Sequence, residues 1–176
     1  RTRRSDPRNE LYLAVPAAAI ALGAPVVIIE NVPSVVHDKL GVVATSIALL
    51  RDAGYHLTEG VLHADRLGWS QRRSRYFLVA RRDREPIPLQ TVSHALANEE
   101  RPITWALQNL SPSSAEDFMS RTAELSPQNQ SRIDWLFDND AYDLALTERP
   151  DCHKDGTSYM SVYGRLHPDR AAPTIT

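Results

Sequence analysis

Cysteine is almost missing from this sequence. The 176 residues hold one, Cys152, which excludes an internal disulfide framework and any zinc site built on several thiolates. Long apolar runs are missing too, since no stretch reaches the roughly 18–20 residues needed to span a bilayer. No apolar signal-peptide core follows Arg1-Thr2-Arg3-Arg4, no repeat of fixed period is present, and no tract is of low complexity. These absences suit a soluble protein of a reducing compartment, so cytoplasmic localisation is expected. Wholesale disorder is excluded, because 42% hydrophobic and 24% charged residues are ordinary globular composition. The run of arginines at the start and the end at Pro173-Thr174-Ile175-Thr176 read as cut ends rather than finished ones.

Charge is unevenly spread. Through Arg84 there are 13 Lys and Arg against 8 Asp and Glu, whereas from Glu85 onward there are 7 against 14. Six arginines fall between Arg72 and Arg84. Such density suits contact with a polyanion, although a cationic patch alone is more often a solvated face.

The pattern along the chain is that of an α/β protein. Residues 9–22 read as a helix that Asn9 caps and Pro16 kinks. Val26-Val27-Ile28-Ile29 is a short β-branched run of the kind buried on both faces of a parallel sheet. A second helix is expected from a Ser34 cap to Gly54, with Val36, Leu40, Val43, Ile47 and Leu50 on one face. Residues 55–64 and 76–80 are strand candidates. Beyond Arg84, Pro86 and Pro88 break the chain and acidic residues accumulate, which places a domain boundary there and gives domains of residues 1–84 and 85–176. Ser114-Ala115-Glu116-Asp117 and Ser126-Pro127 read as helix starts, the second leading to Ile133, Leu136 and Phe137 on one face. From Asn139 the chain reads as loop.

Two segments carry the chemistry. Ile29-Glu30-Asn31-Val32-Pro33 sets a carboxylate at the carboxyl end of an apolar strand, the edge where open α/β sheets bind ligands. A carboxyl group against an apolar wall favours its protonated form, which makes Glu30 a candidate general acid; a capping or salt-bridging glutamate is the plainer alternative. Gln71-Arg72-Arg73-Ser74-Arg75-Tyr76-Phe77 stands at the entrance to the last strand. If Arg73 and Arg75 begin that strand they share a face, and two planar guanidiniums then reach one carbonyl, carboxylate or phosphate. The alternative is a charged edge strand protected against aggregation. Cys152-His153 makes a poor nucleophile and base, since adjacent side chains rarely point to one place. The histidines lack metal-ligand spacing, so no metal is expected, and Trp69, Trp105 and Trp135 read as core more readily than as base-stacking platforms.

Glu-Asn-Val followed some forty residues later by Gln-x-Arg-x-Arg resembles the sixth and eighth motifs of the cytosine-5 DNA methyltransferases. Asp6-Pro7-Arg8-Asn9-Glu10-Leu11 is similar to the stretch after that family's Pro-Cys-Gln loop. Ala64-Asp65 through Gly68 resemble its approach to the eighth motif, although Trp69-Ser70 stand where a Val-Pro pair is common. Tyr163-Gly164-Arg165-Leu166 and Ala172-Pro173-Thr174-Ile175-Thr176 resemble the end of its target-recognition region. The resemblance implies part of a Rossmann-like methyltransferase sheet, its final strands forming a hairpin with one strand antiparallel to the rest, followed by a smaller mixed target-recognition domain. It implies S-adenosylmethionine as cofactor, double-stranded DNA as substrate, and a cognate restriction endonuclease as candidate partner in a bacterial restriction-modification setting. By the same resemblance Glu30 meets N3 of a flipped cytosine, Arg75 meets O2, and Arg73 braces the nucleophile loop or Glu30. Asn31 and Val32 shape the base pocket, and Leu11 lines the cofactor's adenine site. Arg8, Gln71, Arg165, Thr174 and Thr176 are the candidate DNA contacts. The nucleophile and cofactor motifs are expected upstream of Arg1, so the chain alone is expected to be inactive. An RNA methyltransferase of the same family and a catalytically dead DNA-binding module are the alternatives.

Overall fold

The computed structural model describes residues 11–110, 124–154 and 163–173. In chain order these form α1 (Leu11–Ala21), β1 (Val26–Asn31), a 3-10 turn (Pro33–His37), α2 (Val42–Asp52), β2 (His56–His63), β3 (Gln71–Arg72), β4 (Ser74–Arg81), α3 (Leu89–Ala95), α4 (Ile103–Leu107) and α5 (Pro127–Asp138). Two short 3-10 turns (Leu146–Glu148 and Asp151–His153) and β5 (Ala172–Pro173) complete them. Among the described residues no helix is long and apolar enough to cross a membrane. The chain divides into two compact units. One runs to Gly68 and resumes over Arg73–Glu99; the other takes Trp69–Arg72 and the chain from Glu100.

The first unit is built on a three-stranded sheet in the order β1-β4-β2. β4 is antiparallel to both neighbours, so β1 and β2 run parallel to each other on its two sides. Strand alternation sends Val27, Ile29, Tyr76, Leu78 and Ala80 into one buried layer beneath α1 and α2. Tyr55 joins that layer and donates its hydroxyl proton to the Ala24 carbonyl at 2.6 Å.

β1 is not buried on both faces. Val26 is 44% and Ile28 62% exposed, because among the described residues the helices that pack on it cover one side. Pro16 lies inside α1 and is buried. The expected helix from Ser34 is broken in two. After the turn that starts at Pro33, the Asp38 carboxylate accepts from the Leu40 backbone at 2.8 Å. Gly41, in the left-handed region at φ 62°, then caps α2, a backbone conformation that glycine adopts at little cost. Val36 and Leu40 therefore stand exposed, and the buried face of α2 is Val42, Val43, Ser46 and Leu50.

By its contacts, the first compact unit continues past residue 84 to Glu99. Pro86 and Pro88 do break the chain, but it then returns onto β2. Leu89 is buried, its backbone N–H donates to Thr58 Oγ1 at 3.3 Å, and its Cβ meets the bare face of Gly60. In the second unit Ser126 caps α5 by accepting from the Asn129 backbone at 3.3 Å, with Pro127 in the first turn. Leu136 faces inward, whereas Phe137 is 62% exposed. β3 and β5 pair in parallel, Gln71 with Ala172 and Arg72 with Pro173. The helix start expected at Ser114 lies outside the described residues.

Candidate active-site clamp

Two neighbouring strands deliver the clamp. Glu30, the penultimate residue of β1, is in register with Phe77 on β4, and Arg75 lies two residues before Phe77 on the same face. That diagonal relation brings side chains of such length together across a strand pair. Arg75 Nε lies 2.7 Å from Glu30 Oε1 in an ion pair, with the arginine side chain 20% and the glutamate side chain 47% exposed. Arg75 Nη1 donates to the Ser74 carbonyl at 2.7 Å, which fixes the plane of the guanidinium. Glu30 is thus the half-exposed partner of an ion pair and not a carboxyl group against an apolar wall.

The other candidates fall into separate places. β4 begins at Ser74, so Arg73 sits in the break after β3 and strand alternation does not pair it with Arg75. Its carbonyl accepts from the Ala64 N–H at 2.9 Å, and among the described residues its side chain makes no ion pair. Asn31 folds its Oδ1 back to accept from the Val32 N–H at 2.7 Å, which closes the turn after β1 and leaves Val32 on the surface. Leu11 opens α1 and is 67% exposed, while Tyr12 beside it is in the core. Gln71, half-buried, belongs to the second unit through its ladder with Ala172.

Arg165, in the second unit, is held internally. Its guanidinium lies 4.3 Å from the ring centre of Tyr142 and 4.8 Å from that of Phe137, and Nη2 meets Asp140 Oδ1 at 2.6 Å. Arg8, Thr174 and Thr176 lie outside the described residues.

The arginine cluster has mostly protein partners. Besides Arg75, Arg72 pairs with Glu100 at 3.1 Å, Arg81 and Arg84 meet Asp83 at 2.8 and 3.6 Å, and Arg82 lies over Tyr55. Glu100 also accepts from the Ala171 N–H, and the Arg72 hydrogen bond, followed by that one, holds its carboxyl below the ordinary glutamate range. Two of the three tryptophans are exposed, Trp69 at 67% and Trp105 at 43%, the latter beneath the Arg101 guanidinium at 4.1 Å, while Trp135 is half-buried.

Sequence reasoning missed a polar cluster on the sheet's other face, made by Tyr12, Tyr76 and Glu59. Its signal was readable: on β2 the alternation of Leu57, Glu59 and Val61 puts a carboxylate on the same face as the core residues.

A three-stranded sheet with a reversed central strand, helices on one face and a carboxylate-guanidinium pair at a strand end is part of a Rossmann-like methyltransferase fold. Solved structures share it: a putative DNA modification methyltransferase encoded within a prophage of E. coli superposes with a TM-score of 0.55 at 17% identity over 96% of this chain and 57% of that one. Dnmt2 methyltransferase of S. pombe superposes with 0.50 at 21% identity over 73% of this chain and 41% of its own. The chain belongs to the C-5 cytosine-specific DNA methylase family, which matches it over residues 1–171. Relatives include Type II methyltransferase M1.BsuMI of Bacillus subtilis, 41% identical over 99% of this chain and 41% of that protein. Type II methylase M.HgiDII of Herpetosiphon aurantiacus is 33% identical over 86% of this chain and 45% of its own length. The chain therefore spans less than half of the curated relatives it matches.

Proposed function

We propose that this chain supplies the base-holding half of a type II DNA cytosine-5 methyltransferase, and that Glu30 and Arg75 together grip the N3 and O2 edge of a cytosine turned out of the duplex. The observation that carries the reading is the 2.7 Å contact between Arg75 Nε and Glu30 Oε1, formed from two strand ends on one face of the sheet. Cytosine C5 is a poor nucleophile until a thiolate adds to C6, and that addition pushes electron density towards N3 and O2. Glu30 Oε2, unpaired among the described residues, holds or protonates N3 as the charge develops there. Arg75 keeps Glu30 oriented and directs a guanidinium N–H at O2. Preorganised groups of this kind act where charge appears and need no rearrangement during the reaction. Asn31 and Val32 shape the rim of the pocket, and Arg73 braces the loop beside it.

S-adenosylmethionine, the family's cofactor, supplies the methyl group when bound. Leu11 fits it as one wall, being an apolar side chain two-thirds exposed at the start of a helix, which suits the face of a purine. The unit from Glu100, with Trp69–Arg72, is assigned to target recognition. Arg8, Gln71, Thr174 and Thr176 are the proposed DNA contacts, and Arg165 joins them by exchanging Asp140 for the nucleic acid. The type II names of both curated relatives favour DNA over RNA as the substrate and a bacterial restriction-modification system, with a cognate endonuclease, as the cytoplasmic setting.

The test is Glu30→Gln in the full-length enzyme, read by methyl incorporation and by DNA binding. Turnover should fall by about 10²–10⁴, the usual worth of such a group, while DNA affinity is kept. Turnover at the wild-type rate would rule the N3 role out.

A further inference from the structure

Directly through the sheet from the clamp lies a cluster that the proposed chemistry leaves unused. Successive residues of a strand point to opposite faces, so the residue after Arg75 faces the core, and that residue is Tyr76. It is 3% exposed, is in register with Asn31 on one side and Val61 on the other, and shares the core with Val35 of the turn after β1. Tyr76 thus lies under both arms of the clamp, linked to Arg75 by the chain and to the Glu30-Asn31 end of β1 by the ladder. A phenylalanine would fill the same space. What tyrosine adds is a hydroxyl, and it donates a short hydrogen bond to Glu59 on β2. Tyr12, 5% exposed in the first turn of α1, has no hydrogen-bond partner for its hydroxyl among the described residues. Burial, followed by the Glu59 charge, pushes the Tyr12 pKa up to about 12, and burial with the Glu59 hydrogen bond raises that of Tyr76. One carboxylate therefore acts on two phenols drawn from different elements.

Polar groups under a sheet cost desolvation unless they are bonded, and once bonded they fix geometry that apolar packing leaves loose. We infer that Tyr76 and Glu59 are positioning residues: their hydrogen bond across β4 and β2 pins the start of β4, and so sets the height and rotation at which Arg75 presents its guanidinium to Glu30 on the opposite face. The inference rests on the reading of Glu30 and Arg75 as a cytosine clamp.

A double-mutant cycle in the full-length methyltransferase tests it, measured well below the melting temperature of each variant. Tyr76→Phe keeps the ring and should lower kcat roughly tenfold with KM for DNA unchanged, since small misplacements of a reacting group are costly. Glu59→Ala, at an exposed position that tolerates substitution, should show the same loss. Glu59→Gln, whose amide oxygen still accepts from the phenol, should stay within about threefold of wild type. In an Arg75→Ala background Tyr76→Phe should cost no further turnover, because the group it positions is gone. Wild-type kcat in Tyr76→Phe or in Glu59→Ala overturns the inference, as do losses that multiply independently of Arg75. Wild-type turnover in Arg75→Ala alone would instead refute the clamp itself, so the two failures are distinguishable.

Discussion

At the scale of single residues, Glu30 and Arg75 differ in what they bring to the clamp. Arg75 is the more enclosed of the two, at 20% against 47% exposure, and is tied at Nη1 to the Ser74 carbonyl. Truncating it removes the guanidinium and also releases Glu30 from its partner. Arg75→Ala in the full-length enzyme is therefore expected to weaken base capture as well as turnover, with kcat/KM for DNA falling further than kcat does in steady-state methyl transfer. Cys152 provides the contrast. It is exposed in a short 3-10 turn of the second unit, and the proposed chemistry gives it nothing to do. Cys152→Ser should leave kcat of the full-length enzyme unchanged. The 176 residues contain no other cysteine, so the chain by itself should transfer no labelled methyl group to DNA. Glu30 and Arg75 stood out in the sequence as single residues, one ending an apolar run and the other among arginines at the mouth of a later strand, but their pairing was implied only by the family resemblance. The separation of Arg73 from Arg75 was not legible, since it depends on where β4 begins, and the Arg73 carbonyl is held by Ala64, the residue that follows β2.

At the scale of elements, the strands were easier to foresee than their surroundings. β2 and β4 fall close to the expected runs, β4 because Tyr76, Phe77 and Val79 favour strand. The helix expected from Ser34 failed because periodicity alone does not register a left-handed glycine, and Gly41 restarts the helix with a different buried face. The fate of Phe137 was equally hidden, because an aromatic ring on α5 serves as a bed for Arg165 rather than as core. The tyrosines beneath β4 provide a test in alkali. Their folded pKa values are raised, so the protonated phenols contribute stability that is complete below the unfolded value of 10.0 and is lost as pH climbs towards the folded Tyr12 value of about 12. Spectrophotometric titration should find two tyrosines ionising late, together with loss of helical circular dichroism. Tyr12→Phe with Tyr76→Phe should remove that alkaline transition. A normal titration of both tyrosines would show that the cluster is not buried as described.

At the scale of the molecule, composition located the change between halves but not the place where one compact unit gives way to the other. The acidic excess begins at Glu85, whereas α3 continues the first unit, because a strand with an uncovered glycine at residue 60 gives Leu89 somewhere to pack. The short strand at residues 71–72 was not separable by eye from the strand that follows, yet it belongs to the second unit. A piece comprising residues 100–176 alone would lack the partner of β5, so its Ala172 amide, which donates to the Ser70 carbonyl at 2.8 Å in this chain, should exchange with solvent far faster than in residues 1–176. Equal exchange rates would mean that the ladder adds no protection. The reversed central strand has a consequence for how such a sequence can change. β4 is stapled along both flanks, so substitutions within it are absorbed one side chain at a time. A single inserted or deleted residue between Arg73 and Arg75 would turn every later side chain to the wrong face, sending the guanidinium into the core and a phenol out to Glu30. Selection at this locus should therefore purge changes of length anywhere in β4, and changes of letter chiefly at Arg75 and Tyr76.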